Sequence, residues 1–302
     1  MTVWNSISAE TAEALVAAGL TPELTVNLVT EALNEDLAGG ADVTSVATVS
    51  EQQIDELDLV SRGIGIVAGV APARVVFELV LGEDVQLDIA LADGSRAQPN
   101  DRILRASGPT RGLLLAERTA LNFLSHLSGI ATQTDQWVQQ LRGTNARVRD
   151  TRKTTPGLRQ LEKYAVRCGG GENHRMSLSD AALVKDNHIL AAGGVKEAFA
   201  AVRDQFPGLD VEVEVDSLEQ LSEVLAAGAD LVLLDNFTPE QMTEAVSRNA
   251  NQARLEASGG LTLDSAAAVA ATGVDYIAVG AITHSAPILD IGADLVDPEG
   301  RS

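Results

Sequence analysis

The second half of the chain repeats at the length of one strand plus one helix. Short apolar runs ending in polar residues occur in "ARVRDTRK", "AALVKDNH", "DVEVEVDS", "DLVLLDNF", "ARLEASGG" and "DYIAVGAI". Between the later ones lie "KEAFAAVRDQF", "LEQLSEVLAAG", "PEQMTEAVSR" and "LDSAAAVAAT", whose apolar residues recur at helical spacing. Four residues at strand ends, Glu214, Asp235, Ser258 and Gly280, are separated by 21, 23 and 22 residues, the length of a compact βα unit. At least six such units imply a parallel sheet, closed or nearly closed into a (β/α) barrel. In such barrels the C-terminal strand ends build the active site.

The pattern changes near residue 145. Upstream, residues 9–37 read as helical, with Pro22 at the first helical position after Thr21 and a stop near "AGG". "IDELDLVSRGIGIVAGV", "VQLDIALADGSRA" and "DRILRASGP" read as strands with Gly and Asn-Asp turn signals. Residues 111–141 form one helical stretch with Gly129 as its point of interruption. The first half is therefore a separate α/β domain.

Charge narrows the function. The 302 residues carry a net charge of −21, yet residues 142–185 hold ten Lys or Arg against four Asp or Glu. A globally acidic chain lacks the broad basic face of a nucleic-acid binder, whereas a local excess suits a cationic pocket for a small anion. Every long apolar run is broken by Gly, Asp or Thr, which excludes a membrane span, and the N-terminus lacks the basic region of a signal peptide. Cys168 is the single cysteine, so no disulfide framework is expected, and a cytoplasmic protein is.

The chemistry-bearing motifs sit at strand ends. "DTRKTTPGLR" offers Arg152 as a flat fork for a carboxylate and Lys153 as a point charge for phosphate. "RCGGGENHR" places His174, a candidate hydrogen-bond donor, and Arg175 after three glycines whose backbone can approach a ligand. Lys185 ends an apolar strand and reads either as a Schiff-base nucleophile or as a fixed cation. In "VEVEVDS", Glu212 and Glu214 point to the same side, Glu214 nearer the active end and Glu212 a buried partner for an inward arginine. Glu214 and Asp235 are carboxylates for Mg²⁺ or for ribose hydroxyls. "EASGG" and "VGAITHS" close the last two units as a phosphate cup, with His284 either in the cup or capping a helix. From residues alone, these features reach a transferase or lyase acting on a phosphorylated sugar.

Beyond that, the chain resembles the quinolinate phosphoribosyltransferase family. The resemblance rests on "NEDLAGGADVTS", "ERTALNFLSHLSGIAT", "DTRKTTPGLRQLEKYAVRCGGGENHR", "LVKDNHI", "VEVEVDS", "LLDNF", "EASGG" and "VGAITHSAPILDIGADL". It implies an N-terminal α/β sandwich domain over residues 1–128, onto which a tail from about 289 to 302 packs back, and a C-terminal open (β/α) barrel over 129–288. It implies phosphoribosyl transfer from phosphoribosyl pyrophosphate to quinolinate, with CO₂ and pyrophosphate released and Mg²⁺ required, in a homodimer with shared active sites. Carried over by residue, Arg118 would serve the neighbouring subunit's quinolinate. Thr151, Arg152, Lys153, His174, Arg175 and Lys185 would surround the carboxylates and pyrophosphate. Glu214 and Asp235 would meet ribose and metal, and Ser258, Gly259, Gly260, Val279, Gly280, Ala281 and His284 the 5′-phosphate. The residues expected to act in catalysis are Lys153, Lys185, Glu214 and Asp235.

Overall fold

The structure is a computed structural model that describes residues 4–296. Its residues fall into two compact units. The first contains the chain up to Gln133, the segment Pro156–Gly170 and the stretch from Ser285 onward.

Helix α1 (Ala9–Ala17) starts at Ser8, whose hydroxyl accepts from the Thr11 N–H. Helix α2 (Pro22–Leu37) has its proline at the start, where no intrahelical donor is lost, and ends on Ala38 in the left-handed region. A short helix α3 (Val43–Thr48) is capped by Asp42. Strand β1 (Ile54–Ser61) alternates, burying Leu57, Leu59 and Ser61, and β2 (Gly65–Ile66) follows.

The stretch after β2 is not strand. Val70–Leu81 is helix α4, entered through Gly69 at φ 104, with Pro72 in its first turn. It is buried on almost every side, so it shows neither alternation nor an amphipathic stripe. Its one carboxylate, Glu78, accepts from the Ser8 N–H, the Ser8 hydroxyl and the Thr11 hydroxyl at 2.7, 2.9 and 2.6 Å.

Strands β3 (Gln86–Ile89), β4 (Arg96–Ala97) and β5 (Arg102–Pro109) come next, and β4 pairs with β2. The main sheet is antiparallel in the order β12-β1-β5-β3, with β12 (Ile291–Leu295) returning from the chain's end to pair with β1. Residues 297–302 of the expected tail lie outside the described residues.

Helix α5 (Thr110–Gln140) runs into the second unit without the expected interruption at Gly129. A Cβ at Gly129 would stand 2.2 Å from the Pro287 carbonyl, so this glycine serves close approach and breaks nothing. The two compact units divide the chain differently from the expected boundary at 128/129. Helix α6 (Arg159–Cys168) belongs to the first unit, where Gln160 donates to the Thr21 hydroxyl at 2.9 Å and Arg167 to the Ala18 carbonyl at 2.7 Å. Tyr164 of α6 donates to Asp93. These are tertiary contacts, and no linker composition announces them.

The second unit is the parallel sheet. Strands β6 (Arg147–Arg149), β7 (Ala182–Val184), β8 (Val211–Val215), β9 (Leu231–Asp235), β10 (Arg254–Ser258) and β11 (Tyr276–Ala278) lie in the order β6-β11-β10-β9-β8-β7. The order follows the chain around the sheet and brings the last strand back to the first, as in a barrel open between β6 and β7. Helices α8 (Val195–Gln205), α9 (Leu218–Ala226), α10 (Pro239–Asn249) and α11 (Leu263–Ala270) occupy the connections, preceded by α7 (Asp186–Ala192) and followed by α12 (Ala281–His284). Three starts are clear from sequence: Ser217, Thr238 and Thr262 each accept a hydrogen bond from an amide three residues on.

Candidate active site

A cavity of about 720 Å³ lies at the C-terminal strand ends of the second unit. Every site residue named from the sequence lines it except Arg118. Arg118 is exposed on α5 in the first unit.

The first cations come from the end of β6. This strand stops at Arg149, earlier than "ARVRDTRK" suggests, and residues 150–153 turn over the sheet edge. Thr151 accepts from the Lys153 N–H at 3.0 Å, and the Lys153 carbonyl accepts from the Thr283 hydroxyl at 2.8 Å. Lys153 thereby lies against Gly280, where a Cβ would stand 2.9 Å from the Lys153 Cδ. His284, the last residue of α12, lies over the same glycine and lines the cavity.

Lys185 is the residue before α7, so the strand in "AALVKDNH" ends one residue earlier and its last residues are helix. Its Nζ lies 2.5 Å from Glu214 Oε2. Glu214 and Asp235 stand on adjacent parallel strands, and Asp235 is in register with Ser258. Asn236, at φ 57, donates from its amide nitrogen to the Ser258 carbonyl at 2.9 Å. A side chain at Gly259 would meet Asn236 Oδ1 at 2.2 Å, so the "SGG" turn is confined to glycine there. Glu214 and Asp235 are hard oxygen donors of the kind Mg²⁺ takes. Two carboxylates fit a metal whose remaining ligands are substrate oxygens, the usual arrangement for this ion.

Like charges meet at one wall of the cavity. Burial and the neighbouring Arg152 push the Arg175 guanidinium below the usual arginine range, against the pull of Asp180 and Glu212. The Arg175 guanidinium donates to the Ala181 carbonyl at 2.9 Å.

Beneath the cavity lies a charge cluster that the sequence reading missed in part. Arg149 on β6 pairs with Glu256 on β10 at 2.5 Å and stacks 4.5 Å over the Tyr276 ring. Burial and the nearby Glu212 push the Glu256 carboxyl up to about 7, although Arg149 and His174 act in the opposite direction. Glu212 was expected to meet an arginine. Its close partner is His174, with Nε2 at 2.6 Å from Oε2, while Arg149, paired with Glu256, meets Glu212 only through its charge. The signal was available: Arg149 in "ARVR" and Glu256 in "RLEAS" occupy inward positions of strands whose outer face is helix-covered.

His174 lines the cavity and also makes contacts beneath it. Nδ1 accepts from the Arg175 N–H at 2.7 Å, which puts the ring proton on Nε2, directed at Glu212. His174, Glu212 and Glu256 bring metal-binding atoms within 4.8 Å of one another, but the Arg149 guanidinium already neutralises charge there.

Fold and site together define a two-unit α/β protein whose barrel-type sheet presents a cavity lined by Arg152, Lys153, Arg175 and Lys185 at its strand ends. More narrowly, the chain belongs to the quinolinate phosphoribosyl transferase family. The family's N-terminal domain model matches residues 42–128 and its C-terminal domain model residues 130–294. The carboxylating nicotinate-nucleotide pyrophosphorylase of Mycobacterium leprae is 53% identical over 268 residues, covering 87% of this chain and 94% of that protein. The human enzyme of the same name is 38% identical over 286 residues, covering 93% and 94%. Among solved structures, the nicotinate-nucleotide pyrophosphorylase of Francisella tularensis superposes with a TM-score of 0.86 at 38% identity, over 91% of this chain and 96% of that one. Among the described residues no helix is long and apolar enough to cross a membrane.

Proposed function

We propose that this chain transfers the phosphoribosyl group of phosphoribosyl pyrophosphate to quinolinate with loss of CO₂, giving nicotinate mononucleotide and pyrophosphate for NAD biosynthesis. The observation that carries this reading is the convergence of Arg152, Lys153, Arg175 and Lys185 on one cavity that also holds Glu214 and Asp235. Arg175, whose guanidinium is pushed down by burial and by the neighbouring Arg152, is suited together with Arg152 to a dianion, and quinolinate brings two carboxylates. Lys153, lying over Gly280, is placed for the pyrophosphate, and the glycine turns at 259–260 and 280 leave room for a 5′-phosphate.

In this mechanism C1 of the ribose becomes oxocarbenium-like as pyrophosphate departs, and the quinolinate nitrogen attacks it. The 2-carboxylate, now beside a cationic ring nitrogen, leaves as CO₂, its bonding pair stays on C2, and C2 takes up a proton from water. Glu214 and Asp235 face the developing positive charge, while the lysines stabilise the leaving pyrophosphate. Mg²⁺, held by Glu214 and Asp235 together with substrate oxygens, would neutralise charge on the pyrophosphate. Lys185 acts as a fixed cation, as its ion pair with Glu214 supports.

The assembly we infer is a homodimer in which Arg118 reaches the neighbour's quinolinate. Its exposure, outside the cavity of its own second unit, supports that reading. A cytoplasmic location is in keeping with the lone Cys168, whose thiol is pushed up to about 12, chiefly by burial.

The test is CO₂ release from quinolinate labelled at the 2-carboxylate. It should depend strictly on phosphoribosyl pyrophosphate, and nicotinate should turn over at least about tenfold less well, since each charged hydrogen bond contributes roughly 1.5–3 kcal/mol. Release without phosphoribosyl pyrophosphate, or equal use of nicotinate, would overturn the proposal.

A further inference from the structure

A buried carboxylate two residues before Glu214 has no place in the reaction above. Glu212 is 2% exposed and lies below the cavity, on the inward face of β8. One of its oxygens, Oε2, faces His174 Nε2 at 2.6 Å. His174 Nδ1 in turn accepts the backbone N–H of Arg175, so the imidazole spans the distance between Glu212 and the start of a cavity-lining arginine.

The rest of this loop is pinned from the other side. Glu172 forms a parallel bridge with Arg149 on the free edge of β6, and Asp150, fully buried, accepts from the Asn173 side chain at 2.5 Å and from the His174 N–H at 2.8 Å. Residues 172–175 are thus held at two points, by Asp150 through side chain and backbone, and by Glu212 through the imidazole. The loop follows three glycines, which impose little conformation of their own. Loss of Glu212 removes this acceptor at 2.6 Å, while Glu256 Oε1 stands farther from the same nitrogen, at 3.7 Å. The ring would then turn toward other acceptors and release the Arg175 amide.

We propose that Glu212 is a positioning residue for substrate recognition: through the His174 imidazole it fixes the backbone at Arg175, and thereby the guanidinium that meets quinolinate. The role in quinolinate binding rests on the function proposed above. Glu212 touches no substrate. It acts on the wall formed by His174 and Arg175, so the pyrophosphate side of the cavity, built from Lys153, Gly280 and His284, is outside its reach.

The test uses the full chain with Glu212→Leu and Glu212→Gln. Leucine removes the acceptor; glutamine keeps a carbonyl that can accept from Nε2–H. The expected result for Glu212→Leu is a rise of at least tenfold in KM for quinolinate and in its Kd by calorimetry, with KM for phosphoribosyl pyrophosphate within about twofold of the parent. Glu212→Gln should recover to within about threefold of the parent in both.

Two readouts are independent of activity. In ¹⁵N-histidine NMR the parent's His174 should show the Nε2–H tautomer with Nδ1 as acceptor. Amide hydrogen exchange at 172–176 should be faster in Glu212→Leu and near the parent's rate in Glu212→Gln. Should Glu212→Leu fail to fold, Glu212→Gln together with the parent's tautomer decides the matter. If the parent itself binds no quinolinate, the proposed function fails, while tautomer and exchange still judge the positioning role.

Equal loss for both substrates, unchanged exchange with unchanged quinolinate affinity in Glu212→Leu, or a parent tautomer with the proton on Nδ1 would each overturn it. So would stoichiometric Zn²⁺ binding by the parent that Glu212→Gln abolishes, since Glu212 and His174 would then be ligands.

Discussion

The paired arginines of the first unit and the cavity arginine Arg175 of the second occupy opposite surroundings. In the first unit several arginines lie beside a carboxylate: Arg62 with Asp294 at 2.6 Å, Arg74 with Glu10 at 2.8 Å and Arg102 with Asp88 at 2.7 Å. Arg105 is the fullest case, contacting Asp58 through Nε at 2.6 Å and Glu56 through NH1 at 2.8 Å. The Asp58 hydrogen bond raises its pKa further above the ordinary arginine value. In the second unit Arg175 is shifted downward, by burial first and by Arg152 next. In a chain of net charge −21, carboxylates for arginines are plentiful. An arginine set beside another arginine is therefore placed at a cost to the fold, and a dianionic ligand offsets that cost.

The largest effect that would break this comparison is loss of a cavity arginine. Arg175→Ala and Arg152→Ala should each lower kcat/KM for quinolinate by about a hundredfold or more, because charged hydrogen bonds of roughly 1.5–3 kcal/mol each are lost at once. Thermal unfolding should stay at or above the parent's temperature, since each variant relieves repulsion. A variant that unfolds earlier yet keeps its activity would reverse the reading.

Arg118 belongs by sequence to the first unit and by proposal to a neighbour's cavity. Arg118→Ala and Lys185→Ala should each be nearly inactive alone. After subunit exchange of equal amounts, half the dimers are mixed and each mixed dimer has one intact site, so about a quarter of parental activity should return. Exchange is confirmed by mass spectrometry. No recovery in confirmed mixed dimers would put Arg118 at work within its own chain.

A smaller effect concerns the cavity's buried floor. The Glu256 carboxyl titrates near 7 in the folded chain against an ordinary 4.5. A raised acid contributes its stability below the unfolded value and loses it as pH rises through the folded one. Denaturant titrations between pH 4.5 and 7 should therefore show Glu256→Gln, which does not titrate, gaining on the parent as pH rises. A constant difference across that window would mean that Glu256 is ionised throughout.

The smallest effect is expected at the best-paired arginine. Arg105→Ala should leave quinolinate turnover within about twofold, and remove only about 0.5–1 kcal/mol of stability, the usual worth of a partly exposed ion pair. A large loss of turnover there would erase the distinction between paired and site arginines.

The sequence by itself determined the parallel sheet and the cavity rim. The strands of the second unit are read from short apolar runs because each is covered on its outer face by helices and filled within, so burial leaves little room for polar residues except at the ends. Polar residues that do occur there, such as Glu214, Asp235 and Ser258, mark the rim. Tertiary structure alone decided three other things. Helix α4 is buried nearly all round, so its sequence lost the periodicity that reveals a surface helix. Helix α6 returns to the first unit through contacts with Ala18, Thr21 and Asp93, residues more than seventy positions upstream in every case. The partners of inward charges were also out of reach: alternation says that Glu212, Arg149 and Glu256 point the same way, but not which two will touch. That choice depends on sheet register and on the loop that lowers His174 among them, and both are fixed by packing between residues far apart in the chain.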